Sequence, residues 1–370
     1  MLSLKPLVEL QVHRWLSDYI TALVWSPVGT KLAIASGAGE VVLWQEFKET
    51  ILHPANNASI DVLGFSGEGR WLAAAGQAGA VTIWRLDSDI PELVETLTSR
   101  STWIDRLQWH PYRPWLAYNC NKTVHIWDAN QGKTLATLEL PAHVQDLDWS
   151  PDGNYLAISA QMRVYIWETS QWTAPQYEWP LMAASQVLKW SSEGAYLASA
   201  NQDNSVGVLN WENNVRALKQ SSDHEAETPV LLAGLPGKVR QLAWADIPDA
   251  DLSPILATAT RDFVAMWMLI PGEGWQNWLL DLHGDTVLDV AFQPQTGLLA
   301  SLSEDGWILL WQMAVEPMQI LEGAEDGFAC LTWHPTGEYL AAGGQHGDVL
   351  VWVLCPDARQ RLAQKSEAFS

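Results

Sequence analysis

Basic charge is scarce in this sequence. Its 21 Lys and Arg stand against 43 Asp and Glu, a formal net charge of −22 over 370 residues. Neutralising a nucleic-acid backbone takes clustered cations, so a chain of this charge repels polyanions on average, and the same sign argues against an anionic membrane surface. One or more protein partners with a neutral or basic surface, or simple solubility, suit it better. Cysteine is scarce as well. Cys120, Cys330 and Cys355 lie far apart and make no Cys-x-x-Cys pair, which excludes a disulfide framework and points to a reducing, cytoplasmic compartment. No apolar run approaches the ~18 residues of a membrane-spanning helix. The opening "MLSLKPLVELQVHRWL" is broken by Pro6, Glu9 and Arg14, and shows neither the apolar stretch nor the small-residue cleavage site of a secretory leader.

Recognisable catalytic spacing is missing too. No HExxH, GxSxG, Walker A or GxGxxG pattern occurs. "GLPGKV" (Gly234 to Val239) lacks the spacing and hydroxyl of a phosphate loop and reads as a turn. "SSDHEAE" (Ser221 to Glu227) is unpatterned and reads as a solvated loop. "ADIPDADLSP" (Ala245 to Pro254) lacks the turn glycine of a calcium loop. No catalytic residue, metal ligand or cofactor is therefore expected. The two acidic segments, 213–234 and 245–254, suit either a basic partner or solubility.

Tryptophan is abundant: 23 residues, eight of which close strand-like runs, Trp44, Trp84, Trp127, Trp167, Trp211, Trp267, Trp311 and Trp352. Their spacings are 40, 43, 40, 44, 56, 44 and 41 residues, a near-constant period that marks a repeat array. "ALVWSPVGTKLAIASGAGEVVLW", "DLDWSPDGNYLAISAQMRVYIW" and "CLTWHPTGEYLAAGGQHGDVLVW" share one layout. A first strand ends in an aromatic (Trp25, Phe65, Trp109, Trp149, Trp190, Trp244, Phe292 or Trp333). A Pro/Gly turn follows, then a small-residue strand, a second polar turn and a β-branched strand ending in Trp. Outer strands such as "ELVETLTS" and "KTLATLEL" lie between units. The layout predicts an all-β fold, a closed propeller of eight four-stranded antiparallel blades. The irregular fifth and sixth units leave open seven blades plus a displaced segment. The last unit has no outer strand of its own after Trp352. Leu7 to Val12 is expected to supply it and so close the ring. Residues 1–370 then form one domain, with a loose tail from about 356 to 370.

These "WSPDG…LA…IW" units resemble the WD40-repeat β-propeller family across essentially the whole chain. The resemblance implies a propeller that serves as an interaction platform. The Trp-Asp dipeptide of that family survives here only at Trp127–Asp128. The resemblance also implies a buried hydrogen-bonded set, matched well only in the seventh unit: His283, Asp305 and Trp311, with Ser301 or Ser303 supplying the hydroxyl. It is expected to be structural rather than a Ser–His–Asp catalytic triad.

In such a propeller the first strands start at one face around the central channel, where partners dock. The candidate contact residues there are Tyr19, Trp103, Arg106, His143, Lys238, Arg240 and Phe328. Trp103, Arg106 and Arg240 are the sharpest, because aromatics and Arg dominate binding hot spots. The expected function is a non-enzymatic, monomeric scaffold for protein partners, including assembly or maturation of a larger complex. The alternative is an enzyme or metal site at the channel, for which His143, Asp61, Asp105 and Asp289 are the only material.

Overall fold

The second strand of each repeat shows why its residues are small. "KLAIAS" (Lys31–Ser36), "WLAAAG" (Trp71–Gly76) and "YLAISA" (Tyr155–Ala160) are buried along nearly their whole length. A strand packed on both faces has no room for long polar side chains, and Ala, Ser and Gly let the next sheet approach. Outer strands behave oppositely: "ELVETLT" (Glu92–Thr98) has no buried position. The computed structural model describes residues 5–46, 48–88, 90–98, 103–219, 228–247, 254–312, 317–324, 326–358 and 361–362.

Among these residues, strands build eight four-stranded antiparallel sheets. The fold is an eight-bladed β-propeller, so the seven-blade count is set aside. The blades are numbered 1 to 8 from the sheet that starts at Ile20. Within seven of them the strands lie side by side in chain order. A leucine of the second strand sits opposite the third-strand tryptophan, as at Leu32–Trp44, Leu116–Trp127, Leu299–Trp311 and Leu340–Trp352. Blade 5 breaks this rule. Leu197 faces Leu209 there, the third strand ends at Asn210, and Trp211 opens an α-helix, Trp211–Lys219. The expectation that Trp211 closes a strand is corrected accordingly. The Asn210 side chain caps the helix by accepting from Asn213 N at 3.2 Å, and Glu212 suits the positive helix start. Trp211 stays buried even so, its ring edge-on to Tyr155, Tyr177 and Trp190.

The chain divides into two compact units, Met1–Ile60 with Ala245–Ser370, and Asp61–Trp244. In the second unit, cores form between consecutive blades, such as Trp71, Ile83, Trp109 and Trp127 between blades 2 and 3. In the first unit, the last blade takes its outer strand from the N-terminus. Val8–Trp15 pairs antiparallel with Asp348–Leu354, Val8 opposite Leu354 and Trp15 opposite Asp348. This is the expected pairing, begun one residue later and carried three residues further. Leu7 and Val8 are buried, and Cys355 N donates to Leu7 O at 2.8 Å. Gln319 of blade 7 grips the same segment. Its Oε1 accepts from Leu7 N and Val8 N at 2.6 and 3.0 Å, and its Nε2 donates to Val8 O at 2.8 Å. The chain after blade 8 packs back on this strand. Arg361 donates to the carbonyls of Lys5 and Pro6, and Ala358 and Leu362 are buried. The remaining tail residues, 359–360 and 363–370, lie outside the described residues.

Candidate functional site

At least five first strands, among the described pairings, begin with the same irregularity. The pairing register shifts between Ile20 and Ala22, Val144 and Asp146, Ser185 and Val187, Val287 and Asp289, and Phe328 and Cys330. One unpaired residue, such as Gln145 or Gln186, bends the strand there and re-aims its neighbours, as bulges do beside functional surfaces. No composition cue marks this bulge in the sequence.

In the second unit, five candidates lie at first-strand starts. Trp103 is 54% exposed, yet its indole is not loose: Nε1 donates to Asp61 Oδ2 at 2.7 Å. Arg106 is held from several sides. Its Nε lies 3.0 Å from Asp146 Oδ1 and its Nη1 donates to Asp105 O at 2.8 Å. Its backbone N–H donates to Asn119 Oδ1 at 3.1 Å, while Asn119 Nδ2 donates to Asp105 Oδ1. His143, Lys238 and Arg240 are exposed beside the buried Val144 and Val239. Asp61 and Asp105, considered for a metal or catalytic centre, are occupied with Trp103 and with Asn119 and Arg106.

In the first unit, Tyr19 is 38% exposed and its ring covers Gly37, where a Cβ would meet the ring carbons at 2.2 Å. Phe328 has no exposure and packs against Trp352, ring centroids 6.2 Å apart. It fills the core of blade 8 and is withdrawn as a contact residue. Of the acidic segments, residues 220–227 and 248–253 lie outside the described residues.

Three carboxylates, of which only Asp289 had been singled out in the sequence, tie adjacent first strands together. Asp146 Oδ2 accepts from Leu188 N at 2.8 Å, Asp148 Oδ2 from Trp190 N at 2.7 Å, and Asp289 Oδ2 from Leu331 N at 3.1 Å. Burial pushes the Asp146 carboxyl above the usual carboxylate range, against the opposing charge of Arg106. Burial does the same to Asp148 against Lys189. The first-strand tryptophans add a second tie. Their indole N–H groups donate to a carbonyl of the preceding blade: Trp109 to Gly64, Trp149 to Gln108, Trp190 to Asp148, Trp244 to Lys189 and Trp333 to Ala291, all at 2.9–3.1 Å. The cue for the carboxylates was an acid one or three residues before the closing aromatic, as in "VQDLDW" and "VLDVAF".

The residue after that aromatic forms a third tie. His110 Nε2 donates to Gly153 O at 2.9 Å, while its Nδ1 accepts from the backbone N–H of Tyr112 and Arg113, both at 3.0 Å. Gly153 has a φ of 70°, and a Cβ there would overlap the His110 ring. An imidazole that accepts at Nδ1 has no place for a second proton, and burial with the nearby Arg113 charge lowers its pKa to about 4. The native state thus holds His110 neutral, whereas the unfolded chain protonates it below about pH 6.5. Stability is therefore lost as pH falls from about 6.5 toward 4. In blade 7 a glutamine does the equivalent job, Gln293 Nε2 donating to Gly337 O at 2.7 Å. A His110→Gln variant is expected to lose less of its melting temperature than wild type between pH 7 and pH 4.5, with near-equal values at pH 7. Parallel curves would show that His110 does not titrate in the transition.

Blade 7 holds the polar set singled out in the sequence. His283 Nδ1 lies 3.0 Å from Asp305 Oδ2, and its Nε2 is 2.8 Å from Ser301 Oγ. Trp311 Nε1 donates to Ser301 Oγ at 2.9 Å. Ser301 is the hydroxyl in the set; Ser303 instead donates to Asp285 O at 2.9 Å. Ser301 is fully buried and its Oγ already receives the indole N–H, so a substrate has no path to it.

A family model described as "WD domain, G-beta repeat" matches residues 91–128, 132–168, 276–312 and 315–353. The chain carries four WD40 repeats. Each matched segment runs from an outer strand to the end of a third strand, the one that carries Trp127, Trp167, Trp311 or Trp352. Similar curated proteins include the fruit-fly (Drosophila melanogaster) Protein SEC13 homolog, 25% identical over 44% of this chain and 49% of its own length. The Arabidopsis thaliana transcriptional corepressor LEUNIG_HOMOLOG is 24% identical over 78% of this chain and 34% of its own. A probable cytosolic iron-sulfur protein assembly protein 1 from Kluyveromyces lactis is 30% identical over 19% of this chain and 24% of its own. The chain thus spans about half or less of the length of these relatives. No described helix is long and apolar enough to cross a membrane.

Proposed function

We propose that this WD40 protein is a non-enzymatic, cytoplasmic scaffold for protein partners, acting as a monomeric assembly or maturation factor for a larger complex. Its contact residues are those at the first-strand starts: Trp103, Arg106 and Arg240 first, then His143 and Lys238, and in the first unit Tyr19. The observation that carries this reading is Trp103, an exposed indole fixed on Asp61 by a 2.7 Å hydrogen bond. An aromatic anchor already held in place loses little freedom on binding, which is what a hot-spot residue requires. The net charge favours a partner with a neutral or basic surface. Among the relatives, one is named for assembly of iron-sulfur proteins, in keeping with an assembly role.

Crosslinking mass spectrometry from native extract tests the face and finds the partner together. Crosslinks are expected to cluster around residues 103–106, 143–145 and 238–240. Trp103→Ala is expected to weaken the captured partner at least about tenfold, since hot-spot truncations cost about 2 kcal/mol or more, with an unchanged melting temperature. Partners retained by a Trp103→Ala, Arg106→Glu, Arg240→Glu triple variant would move the contact face elsewhere.

A further inference from the structure

Outer strands are the open edges of a propeller, and an open edge accepts a further strand unless charge, proline or shortness blunts it. Most outer strands here are blunted. Val8–Trp15, Lys48–His53, Glu92–Thr98 and Lys133–Glu139 each carry at least two charged residues. Tyr177–Pro180 holds a glutamate and ends in proline, and Val230–Leu232 has only three residues. Pro317–Leu321 opens on proline, and its Gln319 is engaged with Leu7 and Val8. Blade 6 is the exception among the described strands. Its outer strand, Gly274–Asp281 or "GWQNWLLD", has eight residues, with no proline and no charge before Asp281. It pairs with Phe263–Ile270 over its whole length without a register shift, and no described strand lies beyond it. On the other side of Phe263–Ile270, Leu269 N donates to Pro254 O. Successive residues of a ladder alternate sides, so Met268 and Ile270 direct their backbone groups to Gln276 and Gly274. Asn277 and Leu279 therefore turn their N–H and C=O to the open edge.

Charge frames this edge. Exposed Glu273 stands just before the uncharged run and exposed Asp281 ends it. Between them Leu279 is 45% exposed, and Trp275 and Trp278 are half-buried, one on each face of the sheet. We propose that this edge takes an extended segment of a partner protein as a fifth strand of blade 6, uncharged along its middle and carrying Lys or Arg at both ends. The backbone ladder supplies affinity, as in other strand additions. Trp275 and Trp278 offer the aromatic cross-strand neighbours that β-branched side chains pack against. The two acids fix the ends of the segment. A second copy of this strand is the wrong occupant. Antiparallel pairing sets Asp281 of one copy near Glu273 of the other, and parallel pairing sets like acids side by side, on chains of net charge −22. None of the first-strand-start residues lies on this strand, so the edge stands or falls separately from the contact residues proposed above.

The test is fluorescence anisotropy of the full chain with a labelled peptide of alternating Thr and Val between paired lysines. This peptide is expected to bind. A version with proline at its centre is expected to bind at least about tenfold more weakly, since proline cannot join a ladder. Glutamates in place of the lysines are expected to weaken binding about tenfold at low salt and less at high salt. Asn277→Pro removes an outward N–H and keeps the hydrogen bonds to Phe263–Ile270, as proline on an open edge does. It is expected to weaken the lysine-flanked peptide at least about tenfold with a melting temperature near wild type. A Glu273→Lys, Asp281→Lys double variant, changed only at exposed positions, is expected to reverse the preference in favour of the glutamate flanks, whether or not Asn277→Pro folds. Equal binding of the proline-centred peptide, an unchanged flank preference in the double variant, or no binding at millimolar peptide would overturn the proposal. So would light scattering that shows a wild-type dimer abolished by Asn277→Pro, which would give the edge to a second copy.

Discussion

A chain lacking residues 1–15 is expected to leave the ribosome as an aggregating protein, with no monomer peak in size-exclusion light scattering. Those residues supply the outer strand of blade 8, and removing them uncovers the whole edge of Asp348–Leu354, "DVLVWVL". An apolar seven-residue edge with free N–H and C=O groups is a template for pairing with a second chain. The same deletion strips Leu7 and Val8 from a core that also holds Leu331, Leu350 and Trp352. Two buried aliphatic side chains contribute roughly 3–6 kcal/mol. A finer cut leaves the strand in place. Gln319→Leu removes the side chain that satisfies Leu7 N, Val8 N and Val8 O, at a cost of about 2 kcal/mol. A deleted chain that stays monomeric and melts like wild type would show that the N-terminal strand is dispensable for closing blade 8.

Asp305→Ala is expected to destabilise the protein by about 3 kcal/mol, read as a lower urea midpoint in fluorescence-detected unfolding. The carboxylate has three donors. Oδ2 accepts from His283 and from Gly284 N, at 3.0 and 2.8 Å, and Oδ1 accepts from Trp307 N at 2.9 Å. Alanine leaves all three without a partner, two of them backbone groups that cannot turn away. It also frees the His283 ring, whose orientation the Asp305 contact sets for Ser301. Trp311→Phe isolates the other end of the set. It removes one N–H from Ser301 Oγ and keeps most of the ring volume, so about 1 kcal/mol is expected. Equal losses for the two variants would mean that ring packing, not the polar chain, governs blade 7. Burial holds the His283 pKa below its ordinary value. The Asp305→Ala deficit is therefore expected to be read cleanly at pH 7.5, where both states carry a neutral histidine.

The fold was legible because its cue was repeated. The third-strand tryptophan, the small-residue second strand and the Pro/Gly turn recur at a near-constant period, and even the missing outer strand of the last unit pointed to residues 7–12. Blade 5 escaped for a local reason. Its repeat tryptophan is present and buried as expected, but Asn210 caps a helix just where other units continue as strand. Phe328 escaped because it stands five residues before the closing aromatic, a position that is buried in other units too, as at Ile104, Val144 and Val287. Trp103 lies one residue earlier in its unit, and its side chain stays outside.

Residue types recurring along the chain were enough to establish an all-β repeat and the pairing that completes the last blade, while the choice of eight blades over seven came from the sheet pairing. Backbone pairing and small side chains dictate those features within a few residues. The contact face was not legible in the same way. Whether Trp103 is a free ring or a fixed anchor depends on Asp61, 42 positions earlier and in the preceding blade. Whether Trp25 ties to the preceding blade, as five other first-strand tryptophans do, depends on what blade 8 places against its ring. These are contacts between blades, set by how sheets stack rather than by the order of residues along any one strand.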